Sequence, residues 1–149
     1  MNQISNVEQA ERLSRKRARM LPVLAVVYLT QQASFFADSP AAGRSVDHVK
    51  IGAWLILSLV LLLAISTNGF WFRSREVRAL LDDESTRANR LTATSAGFFA
   101  AMLAAILLYL VDQFEPIATR ETIHIILSVG LAAALIRFGM LERRAHSDG

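Results

Sequence analysis

Four blocks almost free of charge, each eighteen to twenty-two residues long, constrain this chain more than anything else in it: Met20–Ala37, Ile51–Phe72, Thr92–Val111 and Ile123–Leu141. A bilayer core about 30 Å thick takes roughly 20 helical residues to cross, so each block is long enough to span once and too short to span twice. The blocks occupy just over half of the 149 residues, and none of the five remaining pieces exceeds nineteen residues. These 149 residues therefore leave no room for a separate soluble catalytic domain. With no cysteine present, a disulfide framework, a thiolate metal site and a cysteine nucleophile are excluded as well. The expected fold is all-α and integral to the membrane, one membrane domain over residues 1–149 with four transmembrane helices at about 20–37, 51–72, 92–111 and 123–141.

The charges orient that domain. Arg12, Arg15, Lys16, Arg17 and Arg19 precede the first block, Arg73, Arg75, Arg78, Arg87 and Arg90 lie between the second and third, and Arg137, Arg143 and Arg144 close the fourth. The other two connectors hold only Arg44, Lys50 and Arg120, a split of 13 basic residues against 3. Lys and Arg in short loops stay on the cytoplasmic side, so both termini of this multi-pass protein are expected there. The isoelectric point of about 9.9 then reports topology, and no direct nucleic-acid binding is expected. A secretory signal cut near Ser39–Gly43 is the alternative for the first block. An uncleaved anchor is favoured, because the apolar run continues through Phe35 and Phe36 and Pro40 is badly placed for some cuts.

Within span 1, Pro22 suits a first helical turn, and Tyr28, Gln32 and Phe35 fall on one face beside Gln31. Interhelical hydrogen bonding is the favoured reading of that face over a small-ligand or quinone contact. Span 2 has almost no polar relief and is expected to be the most lipid-exposed, anchored by Trp54 at one interface and Phe70, Trp71 and Phe72 at the other. Span 3 carries small residues every fourth position, Ala93, Gly97, Ala101 and Ala105, and span 4 offers Gly130 and Ala134. Small side chains let backbones approach where lipid solvates larger ones equally well. Spans 3 and 4 are therefore expected to pack as a tight hairpin, or span 3 to pack on its copy in a homodimer.

No ionisable group sits in the middle of a span, which argues against a proton-coupled transporter. Asp38, Asp47, His48, Asp112, Glu115, Glu121 and His124 gather on the outer side, but no tight ligand spacing supports a metal, and ordinary helix-end polarity accounts for them. His48 and His124 share one side of the membrane, which permits an axial haem pair without arguing for it. No cofactor and no enzymatic activity are expected, since Ser58, Ser66, Ser95 and Ser128 have no evident base.

The cytoplasmic loop is richer. Arg75, Arg78, Asp82, Asp83, Glu84, Arg87 and Arg90 mix both signs where arginines alone would secure orientation, and ion pairs from Asp83 and Glu84 to Arg87 are expected at helical spacing. The basic N-terminal cluster could simply hold anionic lipid. The stretch Leu81-Asp-Asp-Glu-Ser-Thr-Arg-Ala-Asn-Arg, with Phe114-Glu-Pro and Arg137-Phe-Gly-Met-Leu-Glu-Arg-Arg, resembles small four-helix bacterial inner-membrane proteins that share an Asp-Glu-x-Thr-Arg-like turn between spans 2 and 3. The resemblance covers roughly residues 50–145, and Asp83, Glu84 and Arg87 match the turn. Some of those proteins are encoded beside a helix-turn-helix regulator. The resemblance thus implies a non-enzymatic protein whose charged cytoplasmic face binds and regulates a soluble partner, with a small transporter or a redox-complex anchor as the alternative.

Overall fold

The computed structural model describes residues 2–37, 44–67 and 84–147, and among these the regular structure is entirely α-helical. Helix α1 runs Asn2–Ala37, α2 Arg44–Thr67, α3 Glu84–Asp112 and α4 Thr119–Ser147. Three of them are long and apolar enough to cross a membrane: α2 over Val49–Thr67, α3 along its length, and α4 over Thr119–Ala145. The aromatic anchor Phe70–Phe72 lies outside the described residues.

Helix α4 is the hub. It packs lengthwise against both α3 and α1, and over a shorter stretch against α2. Its Leu131, Ala132, Ala134, Leu135 and Phe138 are all buried, as suits a helix enclosed on several sides. The buried face of α1, which packs along α4 and reaches α2 at Tyr28, consists of Ala18, Leu21, Ala25, Tyr28 and Gln32, alternately three and four apart, which keeps them on one side of the helix. Trp54, Ser58, Leu61 and Ile65 form the corresponding stripe of α2.

The α3–α4 pair is an antiparallel hairpin closed by residues 113–118. The Phe114 and Glu115 amides both donate to the Val111 carbonyl at 2.9 Å, and the Asp112 carboxylate accepts the Ile117 N–H at 2.8 Å. Asp112 thus serves the turn. The hairpin's seam brings backbone onto backbone. A Cβ on Gly97 would lie 2.7 Å from the Gly130 carbonyl oxygen and 2.8 Å from the Ala134 Cβ, and one on Gly130 would lie 3.0 Å from the Ala101 Cβ. Ala93 is fully enclosed, while Ala101 and Ala105 are half-buried along the same row. Because this row faces α4 of its own chain, a second copy would have to use another face of α3.

Two expectations fail. The helix containing span 1 begins at Asn2, so Pro22 stands inside it rather than in its first turn. A proline in a helix interior removes one backbone hydrogen bond and crowds the carbonyl four residues back, and both consequences are met by contacts from α4 described below. Nor is span 2 the most exposed: 17% of the apolar window of α2 is buried, against 6% for α3. Small residues let α3 dock along one narrow line, leaving Phe98, Phe99, Leu103, Ile106 and Tyr109 facing outward.

By antiparallel packing, the beginnings of α1 and α3 and the end of α4 share one end of the bundle. At that end all three run as helix beyond their apolar blocks; at the other, α3 and α4 are joined by a short turn.

The seam makes a direct prediction. Gly97→Leu should destabilise the hairpin by about 3 kcal/mol, at the upper end of overpacking costs, whereas Gly52→Ala, with nothing within 4 Å of the added carbon, should leave the melting temperature in mild detergent unchanged or slightly raised. Equal melting of the two variants would contradict the seam.

Candidate functional site

Two polar clusters fasten α1 to α4, one near each end of their contact. At the charged end the Arg17 guanidinium donates to the Glu142 carboxylate at 2.5 Å, with side chains only 8% and 3% exposed. Arg17 also lies over the Phe138 ring, 5.2 Å from its centroid, where a cation meets the negative face of the π system. One turn further along, Pro22 has no N–H to give the Ala18 carbonyl, and Arg143 Nε from α4 donates to that oxygen instead, at 3.2 Å. Gly139 makes room for the ring: a Cβ there would sit 2.7 Å from both Pro22 Cδ and Cγ. The proline is thus accommodated because the facing helix supplies a donor and omits a side chain.

Fifteen residues along α1, roughly 22 Å at 1.5 Å per residue, Gln32 meets α4 again. Its amide nitrogen donates to Ser128 Oγ, and its amide oxygen faces His124 Nδ1 at 3.2 Å. Ser128 Oγ in turn donates to the His124 carbonyl at 2.6 Å. Because an amide oxygen only accepts, the contact requires the imidazole proton on Nδ1, and all three bonds then run donor to acceptor. Trp54 of α2 stacks on the imidazole, centroids 3.7 Å apart and planes inclined by 18°. Its indole N–H is buried with no hydrogen-bond partner among the described residues. Four residues on, Ser58 shares a hydrogen bond with Tyr28 at 2.8 Å, so α1, α2 and α4 are joined in one polar layer.

This layer binds helices together. Ser128 spends its proton on its own helix and does not address the imidazole nitrogen, so the pair is not arranged as nucleophile and base. Among the described residues no group of three or more His, Asp or Glu side chains could hold a metal ion. Of the outer polar residues, Asp112 belongs to the turn, Glu115 and Glu121 are exposed, and the side chains of Asp38, Asp47 and His48 lie outside the described residues.

Of the charged loop, Arg75, Arg78, Asp82 and Asp83 lie outside the described residues. Glu84 opens α3 exposed, Arg87 stands exposed one turn on, and Arg90 is half-buried. The expected Glu84–Arg87 pair is not formed among the described residues; two solvated side chains gain too little from pairing to hold one geometry. The Arg17–Glu142 pair is not legible in the charge pattern, where Arg17 belongs to the orienting cluster and Glu142 stands among the arginines that close the fourth block. Ala18 was the available signal: it extends the buried row of α1 below the apolar block, where packing on another helix has to continue. Comparison with family models, with curated proteins and with solved structures returned no match.

Gly139→Ala should destabilise the protein by about 1–3 kcal/mol, and adding Pro22→Ala, which removes the atoms it strikes, should recover most of the loss. Additive losses in the double variant would refute the notch. Glu142→Ala, which strands a buried guanidinium, should cost about 3–5 kcal/mol in thermal or denaturant unfolding in detergent. Arg17→Met with Glu142→Leu should cost much less.

Proposed function

We propose that this is a four-span, non-enzymatic protein of the bacterial inner membrane, with both termini in the cytoplasm, that binds and regulates a soluble partner on its cytoplasmic face. In this reading α1 is the fourth crossing. It lies lengthwise against α4, and it turns Val23, Val26, Val27 and Leu29 outward, where lipid would cover them.

The observation that carries the reading is the asymmetry of the bundle's two ends. α1 is helical from Asn2, α3 from Glu84 and α4 to Ser147, so three helices project past the apolar blocks, and among the described residues ten of the thirteen basic residues fall at that end. Orientation needs arginines alone, yet this end also presents acids, with Glu84 and Arg87 exposed at the start of α3. A mixed-charge surface on projecting helices suits recognition of a folded protein, where complementary charges set register and exclude wrong partners. A helix-turn-helix regulator is the partner class that the resemblance of the 81–90 turn implies. The competing reading, a small transporter or an anchor subunit of a redox complex, draws on the polar layer around Gln32 and His124. That layer supports it less, because Gln32, Ser128 and His124 are hydrogen-bonded to one another.

The test is isolation from native membranes in lipid nanoparticles, followed by identification of bound soluble proteins. A partner should accompany the wild type and be lost from Asp83→Lys/Glu84→Lys/Arg87→Glu, while the melting temperature stays within a few degrees. An unchanged partner set in the triple variant, or a haem absorption band or substrate flux in the purified protein, would overturn the proposal.

A further inference from the structure

The basic residues ahead of the first apolar block divide into two groups. Arg17 faces α4 and is neutralised by Glu142. Arg12, Arg15, Lys16 and Arg19 are exposed, and their spacing of i, i+3, i+4 and i+7 places all four on one stripe of α1. The same stripe continues without a break through Val23, Val26 and Val27, each more than half exposed. The buried residues Ala18, Leu21, Ala25, Tyr28 and Gln32 lie on the opposite side of the helix, toward α4 and α2. A single outward face is thus cationic for two turns and apolar for the next two, on one continuous helix.

From this we infer that the outward face of α1 is a binding site for anionic phospholipid, with the acyl chains along Val23, Val26 and Val27 and the headgroup phosphate among Arg12, Arg15, Lys16 and Arg19. The inference rests on α1 crossing the membrane, as proposed above. A lipid fits this face because cation and hydrocarbon succeed one another along the helix axis in the order in which phosphate and acyl chain succeed one another along the bilayer normal. A soluble protein would meet the cationic half alone. The ion pair with Glu142 adds to the arrangement: it holds Arg17 against α4 and so fixes the helix rotation that turns the other four outward. Selectivity comes from charge, since a zwitterionic headgroup offers no net countercharge to four cations.

The experiment is native mass spectrometry of the full chain released from detergent after incubation with equimolar phosphatidylglycerol and phosphatidylcholine. The wild type should retain phosphatidylglycerol preferentially. Arg12→Gln/Arg15→Gln/Lys16→Gln/Arg19→Gln should lose that preference, with apparent affinity falling roughly fivefold for each charge removed. Arg87→Gln and the charge-conserving Arg12→Lys/Arg15→Lys/Arg19→Lys should keep it. Equal retention of both lipids by the wild type, or an equal loss in Arg87→Gln, overturns the inference. Val27→Cys separates this from failure of the underlying reading. Its labelling by a water-soluble maleimide in membranes would overturn the placement of α1 and the lipid site together. Protection of Val27→Cys with no lipid preference would overturn the lipid site alone.

Discussion

Hydrocarbon solvates leucine as well as a neighbouring helix does, so a helix inside a bilayer gains little from burying an apolar face, and what joins one helix to another has to be close packing or a polar contact. The contact of Gly97 with Gly130 answers that constraint most directly. A backbone carbonyl lies where a side chain would otherwise be, and Ala134 and Ala101 fill the space on either side. The remaining helices are arranged around the helix that owns half of this seam. α4 reaches α3 through glycine and alanine, α1 through alanine, proline and polar clips, and α2 through Trp54 and His124.

The α1–α4 contact uses both kinds of attachment. Leu21, Ala25, Leu135 and Phe138 pack between the two polar clusters, which sit roughly 22 Å apart along the helix. A buried ion pair contributes little net stability once desolvation is counted, yet it strongly penalises a displaced register, because either charge alone would be stranded. The same holds for Gln32, whose amide has partners only when Ser128 and His124 stand opposite. Two clips that each tolerate one register, combined with a proline that needs a glycine opposite it, specify how α1 lies on α4 both along and around its axis. That rotation decides which basic residues of α1 face outward.

The histidine, serines, glutamine and tyrosine of the apolar helices are used to join one helix to another. Each of Tyr28, Gln32, Ser58 and Ser128 has a partner on another helix, and the imidazole is covered by an indole. Function is then sought at the surface, where the projecting ends of α1, α3 and α4 gather charge.

How much of this was legible without the structure follows from the range of each interaction. Helicity, the count of apolar blocks and the small-residue rows at Ala93–Ala105 and Gly130–Ala134 are local properties, set by backbone hydrogen bonding and by side-chain size at fixed spacing, and they can be read from residue order alone. Its glutamines and serines also marked which spans carry polar faces. Partnership is not local. Arg17 and Glu142 are 125 residues apart, Gln32 and Ser128 are 96 apart, and each has several equally suitable candidates in the sequence. Those pairings were left to the packing of the helices. It decided too that Pro22 stands inside a helix, because a carbonyl freed by proline is tolerable only when a donor such as Arg143 and a gap such as Gly139 come opposite it, and neither can be recognised until the helices are packed.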